Sequence, residues 1–259
     1  SYEDVLAEAQ ALGYAEADPT FDVDGTDAAH KLVILASLAF GLPLDAEAPV
    51  KQGIQSITPE DLEFAASMGY RVKHLGIARR QGDRVEMRVH PTLIPEQKQL
   101  ANVDGVLNAI MIKGDAVGEL VLVGPGAGGA ATASAVCADL ADIARTAAGS
   151  GPALGVPMGQ LKSQTMVPAD DIESEWYVRL AASDCAGVMS DITQVLANHD
   201  VSIESLLQNP PQEDQATVSI VLLTHVASAS VMTAVMQEIT ALTEVEKEFT
   251  LLRVEAFDQ

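Results

Sequence analysis

The sequence of 259 residues predicts an α+β fold in two parts. Two pairs of β-rich segments are joined by short turns, Gln81-Gly82-Asp83 and Gly114-Asp115, which are typical of antiparallel hairpins. Helical segments flank these hairpins, so a helix-covered mixed or antiparallel sheet is expected. After a Gly- and Pro-rich stretch at 149–174, the remaining pattern is β-α-β-β-α-β, which predicts a ferredoxin-like second domain.

Each element of the first part has a local signal. Gly13 is placed to end a helix from Tyr2 to Leu12. A second, apolar helix runs from Ala28 to Phe40, and Thr58, followed by proline, is the N-cap of a third helix that Gly69 ends. The expected strands and final helix of this part are Tyr70–Arg79, Arg84–Val89, Leu107–Lys113, Val117–Val123 and the helix 130–148.

The second part has six expected elements. They are a strand at Trp176–Ala181, a helix at Gly187–Asn198, strands at Val201–Leu207 and Thr217–Leu223, a helix at Ser228–Leu242, and a strand at Glu248–Val254. The chain is therefore divided into a first domain at 1–124, a connecting helix at 125–148, a linker at 149–174 and a second domain at 175–259.

Composition excludes several classes of function. With 37 acidic and 15 basic residues the net charge is −22, which repels nucleic acid. The longest apolar run, Leu32 to Phe40, is too short to span a bilayer, so we expect a soluble, cytoplasmic chain with no membrane partner. Cys137 and Cys185 are too few for a disulfide framework or a zinc site, and no metal site is predicted.

An acidic loop followed by a lysine is the strongest chemical signal. Residues 13–31 hold five carboxylates before Lys31, which stands in an apolar helix. Asp27 precedes Lys31 by four positions, so the two share a helix face. Because the helix is apolar nearly all round, it is expected to be buried, with Lys31 pointing into a cleft. Asp18 and Asp24 are interpreted as turn residues, and His30 as a solvent or packing residue.

A glycine motif follows the second hairpin. Residues 124–129 match G-x-G-x-x-G between a strand and a helix. A complete dinucleotide-binding unit also needs a second parallel strand that ends in an acid, and here the chain enters the Gly/Pro stretch instead. The motif alone therefore predicts only a close backbone approach to a ligand, with free amides that favour an anion.

Several motifs together resemble the homoserine dehydrogenase family over residues 1 to about 150. The acidic segment reads Gly13-Tyr14-x-Glu16-x-Asp18-Pro19, then Gly25-x-Asp27-x-x-x-Lys31. The other matching segments are Arg88-Val89-x-Pro91-Thr92-Leu93-Ile94-Pro95, Leu100-Ala101-x-Val103, Asn108-Ala109 and Gly124-Pro125-Gly126-Ala127-Gly128.

The resemblance implies an NAD- or NADP-dependent enzyme that interconverts L-homoserine and L-aspartate 4-semialdehyde in threonine and methionine biosynthesis. Lys31 matches the family's proton-transfer lysine, and Asp27 is implied beside it as a catalytic and substrate-binding residue. Glu16 and Asp22 are implied to bind the substrate, while Gly126 and Gly128 are implied to line the cofactor. A homodimer, or a tetramer, is the implied assembly.

The family's nucleotide-binding domain has no counterpart in this sequence. A second active-site lysine and the ligands of the family's sodium ion belong to that domain. By the resemblance, residues 1–124 form the catalytic and dimerisation domain, and 125–148 is the helix that returns to the nucleotide-binding domain. The expectation is that this chain is a fragment and is inactive in isolation.

The second part resembles an ACT domain. Asp184-Cys185-Ala186-Gly187-Val188 matches the loop into its first helix, although these domains usually have proline where Ala186 stands. The resemblance implies an effector site, with threonine as the effector, at Asp184, Gly187, Val188 and Gln208. The alternative function is a non-catalytic amino-acid sensor. A solvent-exposed Lys31 without a cleft would favour the sensor.

Overall fold

One eight-stranded sheet runs through both predicted parts of the chain. The computed structural model describes residues 2–11, 18–145, 160–208 and 217–257. The helices are α1 (Tyr2–Ala11), α2 (Thr20–Val23), α3 (Thr26–Phe40), α4 (Pro59–Ser67), α5 (Gly129–Arg145), α6 (Val188–Asn198) and α7 (Ala229–Ile239). The strands are β1 (Val50–Lys51), β2 (Tyr70–Gln81), β3 (Arg84–Pro95), β4 (Leu107–Gly114), β5 (Gly118–Pro125), β6 (Thr165–Met166), β7 (Glu173–Ser183), β8 (Ile203–Gln208), β9 (Thr217–Ser228) and β10 (Val245–Val254).

The expected α+β architecture is confirmed, with small differences at the ends of elements. α3 begins at Thr26, two residues before the expected start. The expected helix ends at Leu12 and at 146–148 lie outside the described residues. Thr58 caps α4 as expected, since its hydroxyl accepts from the Asp61 amide while the Asp61 carboxylate accepts from the Thr58 amide. No helix in the described ranges is long and apolar enough to cross a membrane.

The β2–β3 hairpin is the frame of the first part. β2 pairs antiparallel with β3 from Tyr70↔Pro95 to Gln81↔Arg84, so the predicted hairpin is confirmed and its strands are longer than expected. The other edge of β3 is shared by three short parallel pairings, with β6, then β1, then β10. α3 covers one face of this hairpin through an apolar cluster that contains Ala29, Leu32, Ala36, Val85, Met87 and Val89.

The second part has the expected β-α-β-β-α-β order. Its strands pair antiparallel in the order β10-β7-β9-β8. α6 and α7 bury their apolar sides against one face of this sheet, where Ile192, Leu196, Met232 and Ile239 are almost fully buried. The alternation of apolar residues in β7 and β9 is the local cause of this packing.

The two parts are joined by strand pairing and by a second core. β10 pairs in parallel with β3 at Arg253↔Thr92 and Val254↔Leu93. α4 covers the face of the second sheet opposite α6 and α7, where Phe64 and Ala65 pack with Tyr177, Val221 and Leu252. Of the predicted linker at 149–174, residues 149–159 lie outside the described part. In the remainder, β6 pairs with β3, and Val167 and Ile172 are 7% and 1% exposed. The predicted domain boundaries stay predictions.

The junction also contains a buried charged cluster. Glu86 and Arg88 of β3 contact each other, and both are 1% exposed. Arg88 Nη2 donates to Glu255 Oε2 at 2.7 Å, and Arg79 Nη2 donates to Glu255 Oε1 at 3.0 Å. Burial lowers the pKa of Arg88 to about 10, so the guanidinium remains charged at neutral pH and holds the end of β10 against β3.

β4 and β5 form a separate two-stranded sheet. The strands pair from Leu107↔Pro125 to Gly114↔Gly118, which confirms the second predicted hairpin. No residue of either strand is buried in the described chain. α5, which follows, is also without a buried residue. Because β5 is antiparallel to its neighbour, the glycine motif does not lie in a parallel dinucleotide-binding unit.

Candidate active site

An open cavity of about 880 Å³ lies between α3, β2 and the β4–β5 sheet. Asp27 and Lys31 line it from α3, and Lys73 and His74 line it from β2. Its remaining wall, from Leu107 to Ile110 and from Leu122 to Gly126, is mostly apolar. This size and lining are typical of a pocket for a small molecule, with a few polar groups to fix its orientation.

The Asp27–Lys31 pair is placed by a tight turn before α3. Gly25 has a positive φ of 85°, and a Cβ at that position would lie 3.1 Å from atoms of His74 and Val89. Only glycine fits there, which lets α3 begin directly against β2 and β3. Asp24 Oδ1 accepts from the Thr26 amide at 2.8 Å, and Lys31 Nζ donates to Asp27 Oδ2. The predicted pairing of Asp27 with Lys31 is confirmed.

The expected burial of Lys31 is wrong. Its side chain is 63% exposed, and that of Asp27 is 39% exposed. α3 buries Ala29, Leu32, Val33, Ala36 and Ser37, but its opposite side is open, with Ile34 51% and Leu38 50% exposed. The helix is apolar on both sides, yet the described chain covers only one. Lys31 therefore lines the cavity without being desolvated by its own helix.

The other acidic residues of the loop divide into two groups. Asp18 Oδ1 accepts from the Thr20 amide at 3.1 Å, and Asp24 accepts from Thr26, so both are turn residues as expected. The hydrogen bonds from Thr20 and Thr26 hold the pKa of each carboxyl below its usual value. Asp22 is exposed on α2 and does not line the cavity. Glu16 lies outside the described residues.

His30 has a packing role, as expected. Its ring meets that of Phe21 edge to face, with centroids 5.2 Å apart. The contact joins α2 to α3 on the exposed side of the loop. His30 is not among the residues that line the cavity.

The glycine-rich turn supplies backbone to the cavity wall. Gly126 lines the cavity, and the Asn108 side-chain amide occupies the position that a Cβ at residue 126 would take. Gly128 has a φ of 116° and no atom within 4 Å of its missing Cβ, but it lies outside the lining. The glycine at position 126 is therefore what lets the Asn108 side chain pack against this turn at the cavity wall.

Lys73, His74 and Asn108 are cavity residues that the sequence analysis did not single out as functional. Lys73 Nζ donates to the Val103 carbonyl at 2.7 Å and to Asp104 Oδ1 at 2.8 Å. His74 Nε2 lies 3.2 Å from the Gln52 carbonyl, and burial lowers the pKa of this imidazole. In the sequence, Lys73 and His74 could have been recognised as candidate site residues because they are two adjacent polar residues inside the expected strand Tyr70–Arg79.

The implied effector residues lie at one end of the second sheet. Asp184 and Gly187 are exposed in the turn between β7 and α6, and Gly187 has a φ of 105°. β7 and β8 run in the same direction, since each pairs antiparallel with β9, so Gln208 lies at the same end as this turn. The Val188 side chain is 6% exposed and packs in the core, which leaves only its backbone for a ligand.

The comparisons with known proteins match both parts. The homoserine dehydrogenase family matches residues 1–141, and the ACT domain matches residues 177–244. The homoserine dehydrogenase of Neisseria gonorrhoeae is 46% identical over 260 residues, 99% of this chain and 60% of that protein. The Pseudomonas aeruginosa enzyme is 47% identical over 229 residues, 87% of this chain and 53% of that protein.

Solved structures agree with these matches. A homoserine dehydrogenase from Thiobacillus denitrificans has a TM-score of 0.90 and 45% identity, with 98% of this chain and 58% of that chain covered. The Staphylococcus aureus enzyme has a TM-score of 0.69 and 29% identity, with 98% and 59% covered. The chain thus spans about 60% of the length of the Neisseria gonorrhoeae relative.

The fold and the cavity define a protein in which an α+β part with an open cavity is followed by an ACT domain. The family is shown by two relatives at 46% and 47% identity and by the family match over residues 1–141. The chain belongs to the homoserine dehydrogenase family.

Proposed function

We propose that this chain supplies the amino-acid-substrate half of a homoserine dehydrogenase active site. The reaction is the NAD- or NADP-dependent interconversion of L-homoserine and L-aspartate 4-semialdehyde. One observation carries the proposal. The Lys31–Asp27 pair on α3 and the Gly126 backbone on the β4–β5 sheet line the same cavity. The homologues, named homoserine dehydrogenases, support this assignment.

Lys31 and the nearby carboxylates have different roles in the proposed reaction. When bound, the nicotinamide exchanges a hydride with the terminal carbon of the substrate. In the reductive direction the Lys31 ammonium gives a proton to the aldehyde oxygen, which becomes the alcohol of homoserine. Asp27 accepts a hydrogen bond from Lys31 and holds it on the cavity wall. Asp27, which lines the cavity, binds the substrate ammonium, for which a carboxylate is a natural partner. The substrate-binding roles of Glu16 and Asp22 rest on the family resemblance alone, since Asp22 does not line the cavity.

The cofactor is assigned to the glycine-rich turn. Gly126 lines the cavity and Gly128 follows it directly before α5. A side chain at residue 126 would collide with Asn108, whereas the space around Gly128 is open. The exposed backbone of residues 126–128 at the edge of the cavity supports a place for the nicotinamide end of NAD or NADP.

The ACT domain is the regulatory part in this proposal. Threonine binds at the β7–α6 turn through Asp184 and Gly187, with the Val188 backbone and Gln208 from the end of β8. Free amides at the start of α6, an eleven-residue helix, suit the carboxylate of an amino acid. The sensor alternative is disfavoured, because Lys31 is exposed but lines a cavity.

The proposed assembly is a homodimer or tetramer in the cytoplasm. The main contact lies in residues 1–123, and a second contact lies in residues 175–255. Exposed apolar side chains on β4 and β5, such as Ile112 and Leu120, each 47% exposed, support the first contact. Free Cys137 and Cys185, both exposed, are compatible with a reducing compartment.

A fusion protein tests the proposed activity. The chain alone, and the chain fused to the part of the Neisseria gonorrhoeae relative outside the match, are assayed with L-homoserine and either NAD or NADP. The fusion protein is expected to form reduced nicotinamide and the chain alone is not. A folded fusion protein without turnover would contradict the proposal. Turnover by the chain alone would contradict the expected need for a separate nucleotide-binding part.

A further inference from the structure

The cavity has two walls that belong to separately paired sheets. α3 and β2 are fixed to the eight-stranded sheet, through the apolar cluster on α3 and the full pairing of β2 with β3. The β4–β5 wall, which carries Asn108 and Gly126, pairs only within itself among the described residues. The distance between Lys31 and Gly126 therefore depends on whatever holds β4–β5 in place.

Apolar packing within the described chain does not hold the β4–β5 sheet. None of its residues is buried, and large side chains such as Leu120 and Leu122 are 47% and 61% exposed. At the far end, Lys113 Nζ lies 3.4 Å from the Phe257 carbonyl, and this contact is exposed. At the near end, Val103 and Asp104 are bound by hydrogen bonds and ion pairs from two β2 side chains.

The near end is held by charged side chains of β2. Arg71 Nη1 lies 3.3 Å from Asp104 Oδ2, and Lys73 Nζ lies 2.8 Å from Asp104 Oδ1. Lys73 Nζ also donates to the Val103 carbonyl at 2.7 Å. Arg71 and Lys73 are two residues apart and so lie on one face of β2. We call Arg71, Lys73, Val103 and Asp104 the Asp104 clamp.

Val103 and Asp104 of the clamp lie directly before the segment that leads into β4. Before these two residues, the short helical turn Gln99–Asn102 is anchored by Ala101, which is fully buried. After them, Gly105 has a positive φ of 65° and no atom within 4 Å of its missing Cβ. The clamp thus lies between an anchored turn and a glycine turn that leads into β4, closed by the Leu107 amide on the Asp104 carbonyl at 3.4 Å. Asp104 is therefore the last residue before β4 that is fixed by side chains of β2.

We propose that Lys73 and Asp104 are positioning residues that set the gap between Lys31 and the Gly126 turn. The proposal rests on the proposed function, since it assigns this gap to the reacting groups. Exposed ion pairs add little to stability. Geometry is the larger effect, because a shift of about 1 Å between reacting groups can cost about a hundredfold in rate. Hydrogen bonding from Lys73 also holds the pKa of Asp104 below its usual value, so the clamp is charged at neutral pH.

Hydrogen exchange of the chain itself tests the clamp without any activity. Asp104→Asn and Lys73→Met are compared with the unchanged chain and with Glu238→Gln, which removes a carboxylate from the exposed pair with His199. Both clamp variants are expected to speed amide exchange in residues 107–125 and to leave β3 unchanged. Asp104 is 63% exposed, so its loss is not expected to unfold the chain. Unchanged exchange in residues 107–125 would overturn the proposal.

Kinetics of the fusion protein supply the second test. Asp104→Asn and Lys73→Met are expected to lower kcat by about ten- to a hundredfold with a smaller change in KM, because the reacting groups are misplaced while the substrate contacts remain. Asp104→Glu, which keeps the carboxylate, is expected to restore most of kcat, and Glu238→Gln to change neither constant. A full kcat in the Asp104→Asn variant would overturn the proposal. An inactive unsubstituted fusion protein would contradict the proposed function instead, and the exchange data would still decide on the clamp.

Discussion

Asp61 of α4 and Arg179 of β7 form a buried ion pair that joins the two parts of the chain across 118 positions of sequence. Arg179 Nε lies 2.6 Å from Asp61 Oδ1, and Asp61 is fully buried. The Tyr177 hydroxyl donates to the same oxygen at 3.0 Å, and Thr58 connects the pair to the start of α4. The second part is therefore attached to the first by a specific polar contact as well as by apolar packing.

Asp61→Asn is expected to destabilise the chain by about 3 kcal/mol, because it leaves Arg179 largely buried without its main carboxylate partner. Urea unfolding followed by circular dichroism measures this change. Asp142→Asn is the control, since Asp142 and Arg145 form an exposed pair at 3.9 Å on α5. The control should cost less than about 1 kcal/mol. Equal effects of the two variants would show that the Asp61–Arg179 contact does not fix the two parts together.

His90 is expected to make stability depend on pH below neutrality. Burial, together with the nearby Arg88 charge, lowers the pKa of His90 from 6.5 to about 3. Below pH 6.5 the unfolded chain takes up a proton that the folded chain excludes. Stability is therefore complete above pH 6.5 and falls as the pH is lowered towards 3, by up to about 1.4 kcal/mol per pH unit.

Urea unfolding between about pH 7 and 5 measures this slope. His90→Gln is expected to make the fall in stability with decreasing pH less steep, by the contribution of the one proton that His90 excludes. If His90→Gln and the unchanged chain had the same slope, His90 would not be the group excluded from protonation.

Local features of the fold were predictable from the sequence, and long-range ones were not. Gly82 and Gly114 mark hairpins because a tight turn needs only a few adjacent residues. The β3–β10 pairing at Thr92↔Arg253 has no such local signal, and neither has the Asp61–Arg179 pair. The sequence therefore indicated two parts with a linker, although eight strands from both parts form one sheet.

In the candidate site, too, local features were predictable from the sequence and long-range contacts were not. Asp27 and Lys31 were predicted as a pair because four positions on a helix place them on one face. The exposure of Lys31 was not predicted, because the sequence of a helix that is apolar on both sides does not show which side the rest of the chain covers. Lys73 and Asp104 are 31 positions apart and on different elements, so only the structure brings them together.

The β4–β5 sheet is expected to take part in the dimer. Ile112 and Leu120 are directly opposite each other, and a glutamate at position 120 would place a charge in a buried contact. Light scattering is expected to show a dimer or tetramer for the unchanged chain and a smaller species for Leu120→Glu. Leu44→Glu, in an exposed loop, is the control and should keep the original mass. A monomeric unchanged chain would contradict the proposed assembly.

Steady-state turnover of the Lys31→Ala variant in the fusion protein shows whether Lys31 transfers the proton. Lys247, exposed on β10, offers a matched lysine whose removal is the control. Lys31→Ala is expected to lower kcat by about a hundredfold or more, the usual scale of a positioned proton transfer, while Lys247→Ala keeps the full rate. Near-full activity of Lys31→Ala would contradict the account, because the proton would then reach the substrate oxygen through another group.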